Sequence, residues 1–291
     1  MKILCYDMGG TDLKYGVIEN NNLLFSSKTP TKCYNSQEEL KEQYIYLTKE
    51  MLKQYPDIQG VGISTAGSVD YTRGIIVAAP EAIPVFQDFD FKTLFKENFN
   101  LDCFVDNDVN SFAAAELNED NPHHNFIVMT VGTGIGGAII VNDTLWRGAN
   151  FNAGEIGRML INGISYEKQA SMSALLRNAR GKGLEIKNGL ELFNLYDNNN
   201  EIALEVVNDF YHKLATGLAN IIYMFNPEAI FIGGGISQRQ TFIEEIEKHL
   251  NPQLEWEFRN ITKIKIASHQ NDGGMYGAYR NYLKYITKEC K

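Results

Sequence analysis

The chain has 291 residues, of which 44% are hydrophobic and 22% charged, as is typical of a soluble globular protein with room for two domains. Its 27 Lys and Arg against 36 Asp and Glu give a net charge of −9. This balance argues against nucleic acid as the main partner, because phosphate backbones are bound by clustered cations. We expect a cytoplasmic protein, because no apolar run approaches the ~20 residues that span a bilayer and the chain begins directly with a strand pattern. The four cysteines are scattered without a C-x-x-C pair, so reduced thiols are expected at Cys5, Cys33, Cys103 and Cys290.

The first part of the chain alternates predicted strands and helices. Residues 2–28 have strand patterning interrupted by a turn at residues 20–22. A helix is predicted over residues 36–54, because Ser36-Gln37-Glu38-Glu39 resembles a capping box and apolar residues follow at helical spacing. The further elements predicted here are strands at 61–64 and 103–105, a short helix around 94–95 and a helix over 109–117.

A polar segment, residues 118–125, contains Pro122 and is the predicted crossover between two domains. The second domain begins with an apolar strand at Phe126. Strands that alternate with helices indicate the α/β class, to which hairpins add antiparallel pairing. The elements predicted after this first strand are helices at about 201–225, 240–250 and 274–286, and strands at 229–232 and 264–267.

Two glycine-rich units, 122 residues apart, resemble each other. Gly10-Thr11 aligns with Gly132-Thr133, and the same offset aligns Val17-Ile18 with Ile139-Ile140. Each unit is therefore predicted to form a strand, a glycine-rich turn, a second strand and a turn that contains Asn. Consecutive backbone N–H groups in such a turn bind an anion, and the Thr hydroxyl adds a donor. One copy alone would favour an ordinary hairpin turn; two copies favour a pair of turns that bind one phosphate chain from both sides.

The surroundings of the first turn fit phosphate binding. Asp7, which precedes Gly9 and Gly10, ends a strand and is placed to hold Mg²⁺ through water, and Lys14 adds positive charge. Neither turn has the P-loop spacing, and residues 132–137 lack the third glycine of a dinucleotide fingerprint. Gly233-Gly234-Gly235 follows another buried strand. Its backbone would allow close approach of a flat nucleoside, although an ordinary loop explains it equally well.

Asp106-Asn107-Asp108 is the candidate reaction centre. A carboxylate beside an amide at a strand-to-helix junction can accept a proton from a substrate hydroxyl. Asp108 is alternatively the N-cap of the helix, and Asp106 is alternatively that cap or an ordinary surface acid. Asn107 would exchange hydrogen bonds with sugar hydroxyls.

Two carboxylates further along, Glu155 and Glu167, are candidates for binding vicinal sugar hydroxyls. For Glu167 considered alone, a solvated helix face is the default interpretation. His123-His124 suggests a metal site, but no third ligand stands at a useful spacing, so a solvated loop is favoured.

In order along nearly the whole chain, these motifs and the Gly-Ile-Ser-Thr-Ala-Gly strand at 62–67 resemble the ROK (repressor, open reading frame, kinase) family of bacterial sugar kinases. The resemblance implies a two-domain actin-like ATPase (ribonuclease H-like) fold with duplicated mixed sheets and flanking helices. It places a smaller domain at 1–117 plus the C-terminal helix at about 274–291, a larger domain at 118–273, and the active-site cleft between them.

The resemblance further implies an ATP-dependent kinase that uses Mg²⁺, forms a homodimer and phosphorylates the 6-hydroxyl of a glucose, N-acetylmannosamine or β-glucoside type of substrate. By resemblance, the catalytic base is Asp108. The resemblance also implies that the sugar is bound by Gly67, Asn107, Glu155 and Glu167. It implies that the ATP phosphates are bound by Thr11, Gly132, Thr133 and Gly134, and the adenosine by Gly233, Gly234 and Gly235.

One departure from the family concerns metal. Many members carry structural zinc on a histidine after Gly-Glu-Ile-Gly and on a cysteine-rich segment. Here Arg158 occupies the histidine position and residues 159–166 contain no cysteine, so we predict no zinc site. The family histidine also contacts the sugar, which leaves the preferred sugar open. A sugar-sensing repressor of the same family is the alternative function; it is disfavoured because only two residues precede the first strand.

Overall fold

The computed structural model describes residues 1–32, 36–81, 83–118, 120–269 and 272–289. The chain divides into two compact units. Residues 147–153, which the sequence analysis assigned to the second domain, lie with the first unit because their side chains contact it. Unit 1 comprises Met1–Asn121, Arg147–Ala153 and Asn271–Lys291, and unit 2 comprises Pro122–Trp146 and Gly154–Gln270.

Unit 1 is built on a five-stranded sheet of order β3-β2-β1-β4-β7. The first three strands form an antiparallel meander, and β1, β4 and β7 are parallel, so their carboxyl ends share one edge of the sheet. The elements up to the first crossover are β1 Lys2–Met8, β2 Asp12–Glu19, β3 Asn22–Pro30, α1 Gln37–Gln54, β4 Gly60–Thr65, β5 Ser68–Asp70, β6 Ile75–Ala78, α2 Phe91–Phe99, β7 Asp102–Asn107 and α3 Asp108–Glu116.

Unit 2 has a five-stranded sheet of order β10-β9-β8-β13-β14. A long helix, α7, carries the largest apolar face of its core. The elements are β8 Phe126–Val131, β9 Ile135–Val141, β10 Thr144–Trp146, β11 Leu160–Ile161, β12 Ile164–Ser165, α4 Tyr166–Ala170, α5 Met172–Gly181, α6 Gly189–Asp197, α7 Glu201–Phe225, β13 Ala229–Gly233, α8 Phe242–Leu250 and β14 Lys263–Ile266. The last helix, α9 Gly273–Glu289, belongs to unit 1.

The two sheets have the same topology, as the repeated sequence predicts. In each, an antiparallel three-strand meander continues into two parallel strands. The second turn of each meander places two residues in the left-handed region: Asn20 and Asn21 have φ 49° and 61°, and Asn142 and Asp143 have φ 48° and 57°. Asn and Asp tolerate this region and favour such two-residue hairpin turns.

Helices cover both faces of the sheet of unit 1. Ser36 caps α1 by accepting from the Glu39 backbone N–H at 3.2 Å, which confirms the predicted start of this helix. Tyr44 of α1 packs edge-on against Tyr6 at 4.9 Å between ring centroids, and Tyr279 of α9 lies in the core on the opposite face. Among the described residues, no helix combines the length and apolarity required to cross a bilayer. Cys5 and Cys103 are buried free thiols, whereas Cys33 and Cys290 lie outside the described residues.

The elements between β10 and α7 were not predicted from the sequence. They include the hairpin β11–β12 and three helices, α4 to α6. Side-chain caps start two of these helices: Ser171 accepts from Ala174 N–H at 3.2 Å, and Asn188 accepts from Glu191 N–H at 3.0 Å. Both are N-cap residue types, so the signals were present in the sequence.

Candidate active site

The carboxyl edge of the unit 1 sheet brings together the polar groups predicted there. The strand register aligns Asp7 of β1 with Ser64 of β4, and Ser64 with Asp106 of β7. Ser64 Oγ donates to Asp7 Oδ1 at 2.7 Å, and Lys14 Nζ lies 3.9 Å from Asp7 Oδ2. Burial raises the pKa of Asp7, although the Ser64 hydrogen bond and the Lys14 charge oppose that shift.

A glycine of α9 makes room for Asp7. A Cβ on Gly274 would overlap the Asp7 carboxylate, so any larger residue at this position requires that carboxylate to move. The sequence analysis missed both Gly274 and Ser64, because their relation to Asp7 depends on packing between segments distant in the chain.

The junction between β7 and α3 is fixed by Asn107. Asn107 Oδ1 accepts from the N–H groups of Val109 at 2.9 Å and Asn110 at 3.2 Å, so Asn107 is the N-cap of α3. Its Nδ2 donates to Gly67 O at 3.0 Å and to Asp108 Oδ1 at 2.8 Å. The interpretations of Asp108 or Asp106 as the cap are therefore wrong. Asn107 has two donors and two acceptors engaged, so a hydrogen bond from it to a sugar requires one of these contacts to open.

In the part of the chain that the structure describes, one carboxylate oxygen of Asp108 accepts no hydrogen bond. Oδ1 accepts from Asn107 Nδ2 and from the Val109 N–H at 2.9 Å, whereas no described residue donates to Oδ2. Desolvation, reinforced by the negative charge of Asp7, raises the pKa of Asp108 to about 6. A half-buried carboxylate with an open oxygen and a pKa close to neutral has the properties of a general base.

Asp106 is a buried ion-pair partner, and its interpretation as a surface acid is wrong. The residue is 1% exposed, and Arg147 Nε donates to its Oδ2 at 2.9 Å. Arg147 was not singled out by the sequence analysis, because nothing local to residues 147–153 indicates a partner 41 positions earlier.

Gly67 lies at the turn between β4 and β5 and requires a glycine. Its φ is +99°, and a Cβ there would lie 2.8 Å from Ala78 O. Its carbonyl receives the Asn107 amide, so this turn and the β7–α3 junction are in direct contact.

In unit 2, the second glycine-rich turn joins β8 to β9. Gly132 N–H donates to Gly134 O at 3.0 Å, and Gly132 O accepts from Met172 N–H at 2.9 Å. Thr133 is exposed, like Thr11 in the first turn, and no described residue hydrogen-bonds to either hydroxyl. Both hydroxyls therefore point away from internal partners, as a phosphate-binding role requires.

The Gly-Glu-Ile-Gly segment is held close to β9. A Cβ on Gly154 would overlap Gly137 O, and a Cβ on Gly157 would overlap Ile135 O. These two close approaches fix the backbone on both sides of Glu155 beside the strand that leaves the second turn.

Arg158 pairs with one of the two candidate sugar-binding carboxylates. Its Nε donates to Glu155 Oε2 at 2.9 Å, and its side chain is 79% exposed. Glu155, and more weakly Glu167, raises the pKa of Arg158. Glu167, on α4, places Oε2 where a Cβ on Gly134 would approach within 2.7 Å. Unit 2 therefore brings Glu155, Arg158 and Glu167 close to the second turn.

The third glycine cluster is also beside that turn. Gly233 pairs with Thr130 in the parallel strands β13 and β8. Gly234 has φ +106°, and a Cβ there would overlap Val131 O, the residue before the turn. The glycines at 233–235 and the turn at 132–134 thus lie at the same edge of the unit 2 sheet.

His124 pairs with an aspartate at the surface. Its Nδ1 lies 2.8 Å from Asp143 Oδ2 at an exposed position. Within the described ranges, no group of three His, Cys, Asp or Glu side chains is arranged to hold a metal ion. The absence of zinc remains a prediction.

Comparison with known proteins identifies the family. The model of the ROK family matches residues 3–283. A β-glucoside kinase from Listeria innocua is 33% identical over 98% of this chain and 98% of its own length. Among solved structures, a ROK family protein from Streptococcus pneumoniae in complex with sucrose has a TM-score of 0.89 and 26% identity over 99% of this chain and 100% of its own. A ROK hexokinase from Thermus thermophilus has a TM-score of 0.85 and 25% identity, again over 99% of this chain and 100% of its own.

The duplicated mixed sheets with flanking helices therefore form the α/β, actin-like ATPase fold that the sequence predicts, and the class is that of sugar-phosphorylating enzymes. The chain belongs to the ROK family.

Proposed function

We propose that this protein is an ATP-dependent sugar kinase that phosphorylates the 6-hydroxyl of a hexose or hexose derivative. The observation that carries the proposal is the state of Asp108, whose Oδ1 is held by Asn107 and Val109 while Oδ2 is open and the pKa is raised to about 6. Such a group is ionised at neutral pH and remains basic enough to accept a proton.

In the proposed reaction, Asp108 Oδ2 takes the proton of the sugar hydroxyl as its oxygen attacks the γ-phosphorus of ATP. The bond from the γ-phosphorus to the β–γ bridging oxygen breaks, and ADP leaves with that oxygen. Phosphoryl transfer depends mainly on positioning and on stabilising the charge of the transferred group. Thr11 and Thr133, with the backbone N–H groups around them, would supply those donors to the phosphates.

Asp7 is the proposed holder of Mg²⁺. It fits this role because a single carboxylate at a strand end, kept in place by Ser64, suits an ion that retains several waters. The ion would offset negative charge on the phosphates, and Lys14, close to Asp7, would add to that effect. Gly233, Gly234 and Gly235 would line the adenosine, because residues without side chains leave room at the end of β13.

The sugar would be bound by carboxylates and by the turn at Gly67. Glu155 and Glu167 each offer oxygens to vicinal hydroxyls, and Asn107 holds Gly67 and Asp108 in a fixed relation. Arg158 holds Glu155 where other family members have histidine. The β-glucoside kinase relative supports a β-glucoside as the first substrate to test. We also expect a homodimer, which analytical ultracentrifugation checks.

The test is ATP-dependent phosphorylation across glucose, mannose, fructose, N-acetylmannosamine, N-acetylglucosamine and cellobiose. Product mass identifies the transferred group, and ¹³C–³¹P coupling identifies the hydroxyl. The proposal expects a monophosphate ester at the 6-position (the 6′-position of cellobiose) for at least one sugar. Sugar binding without any phosphorylated product would refute it and favour a non-catalytic sensor.

A further inference from the structure

Arg147 is one of the most enclosed charged side chains of unit 1. Its Nε and Nη2 donate to Asp106 Oδ2 at 2.9 Å and 2.5 Å, and the two side chains are 16% and 1% exposed. Both donors converge on one oxygen, so the guanidinium controls the orientation of the Asp106 carboxylate.

The other oxygen of Asp106 holds the junction that presents the proposed base. Asp106 Oδ1 accepts from Asn107 N–H at 2.9 Å and from Asn110 Nδ2 at 3.1 Å. Asn107 in turn donates to Asp108 Oδ1. A continuous chain of hydrogen bonds therefore runs from Arg147 through Asp106 and Asn107 to Asp108.

Residues 147–153, here called the 147–153 segment, also contact both ends of β5, the strand that follows the Gly67 turn. The Arg147 guanidinium lies 4.4 Å from the ring centroid of Tyr71, and Phe151 packs edge-on against the same ring at 5.7 Å. Ser68 Oγ donates to Asn152 Oδ1. The segment thus holds β5, which leaves the Gly67 turn, and the β7–α3 junction, while Asn107 joins that turn to the junction.

Stability alone is a poor explanation for this ion pair. Desolvation of two buried charges offsets most of their attraction, and a well-packed apolar pair is often as stable. What an apolar pair cannot supply is a carboxylate that fixes the Asn107 backbone and the Asn110 side chain together.

We propose that Arg147 is a positioning residue for phosphoryl transfer: by orienting Asp106 it fixes the β7–α3 junction, so that Asp108 Oδ2 meets the sugar hydroxyl in the reactive geometry. The proposal rests on the proposed function. A displacement of about 1 Å at a reacting group reduces the reaction rate by up to 10²-fold. Loss of the contact between Arg147 and Asp106 is therefore expected to lower kcat.

Three variants test the proposal. Arg147→Lys keeps the charge but has no planar fork, Arg147→Met removes the charge, and Asp106→Asn with Arg147→Met removes both charges so that no unpaired ion is buried. We expect kcat to fall at least tenfold in all three, while KM for the sugar changes less than threefold. Arg180→Met is the control, because among the residues that the structure describes Arg180 donates only to the carbonyls of Ile186 and Lys187.

A second readout does not depend on turnover. Hydrogen–deuterium exchange at the amides of Asn107, Val109 and Asn110 should accelerate at least tenfold in the Arg147 variants and stay unchanged in the control. If the folded variants keep both wild-type kcat and wild-type exchange, the positioning role is overturned. If wild type phosphorylates no sugar, the proposed function fails, and unchanged exchange at these amides would then overturn the inference separately.

Discussion

Replacing Asp108 with Asn removes the proposed base while keeping the size of the side chain. General-base assistance contributes about 10²–10⁴ in rate, so kcat should fall by about this factor at pH 8. The sugar dissociation constant should change little, because Asp108 Oδ1 is held by Asn107 and Val109 and a carbonyl oxygen of Asn can accept the same hydrogen bonds.

The pH dependence makes this prediction more specific. With the pKa of Asp108 raised to about 6, about a tenth of the wild-type enzyme has an ionised base at pH 5. At saturating MgATP, kcat/KM for the sugar should therefore fall about tenfold per pH unit below pH 6. The Asp108→Asn variant has no such acid-dependent fall. The ratio of the wild-type kcat/KM to that of the variant should therefore shrink about tenfold between pH 8 and pH 5.

The same carboxylate should lower stability at neutral pH. Because the pKa of Asp108 is raised from 3.8 to about 6 in the folded state, protonation of this carboxyl group stabilises the fold. This stabilisation is fully present below pH 3.8 and is lost as the pH rises through 6. The loss is at most about 3 kcal/mol, and less for a half-buried group. Asp108→Asn should therefore melt a few degrees higher than wild type at pH 7.5 and show no such gain at pH 4.

Initial-rate kinetics with a coupled ADP assay, and scanning calorimetry at both pH values, measure these effects. Asp102→Asn is the matched control, because Asp102 is an exposed aspartate at the opposite end of β7. If the turnover rate of Asp108→Asn is within fivefold of wild type, Asp108 is not the base. The same conclusion follows if kcat/KM of that variant falls below pH 6 as steeply as it does in wild type.

Two further substitutions test the surroundings of the site. Gly274→Ala should displace the Asp7 carboxylate and weaken MgATP binding about tenfold in a calorimetric titration. Gly181→Ala, where a Cβ meets nothing within 4 Å, is the control and should bind MgATP like wild type. Equal MgATP affinity in both variants would contradict the assignment of Asp7 to Mg²⁺. Arg158→Ala should raise the sugar KM by no more than about fivefold, because an exposed ion pair contributes about 1 kcal/mol or less. A rise above fiftyfold would show that the guanidinium itself contacts the sugar.

The duplicated architecture could be predicted because short sequence patterns specify its strands and turns. The two Gly-Thr turns, the two Asn-containing turns and the apolar strands before them recur at one offset, and the structure gives both sheets the same order. The limits of α1 followed from its capping residue and apolar spacing, and α7 has the predicted bounds, ending before Asn226-Pro227.

The details of the β7–α3 junction could not be predicted, because Asp106, Asn107 and Asp108 are all good N-cap residues. The choice depends on tertiary contacts. Burial of Asp106 with Arg147 leaves the cap to Asn107, whose amide also reaches Gly67 O. Local propensity cannot encode these partners, which lie 40 and 41 residues away.

The same limitation explains the 147–153 segment and Gly274. Arg147 looks like a surface residue after a short strand, and only its contacts with Asp106 and Tyr71 place it in unit 1. Gly274 is the second residue of α9, and its relation to Asp7 appears only once α9 is packed against the sheet.

We propose that both Gly-Thr turns bind the same triphosphate. The most direct measurement is calorimetric titration of a non-hydrolysable ATP analogue into Thr11→Val and Thr133→Val, with Thr144→Val as the control on β10. Since a hydrogen bond to a charged group contributes about 1.5–3 kcal/mol, each of the first two changes should weaken binding at least tenfold and leave sugar binding intact. If only one of them, or neither, weakens nucleotide binding, the claim is contradicted.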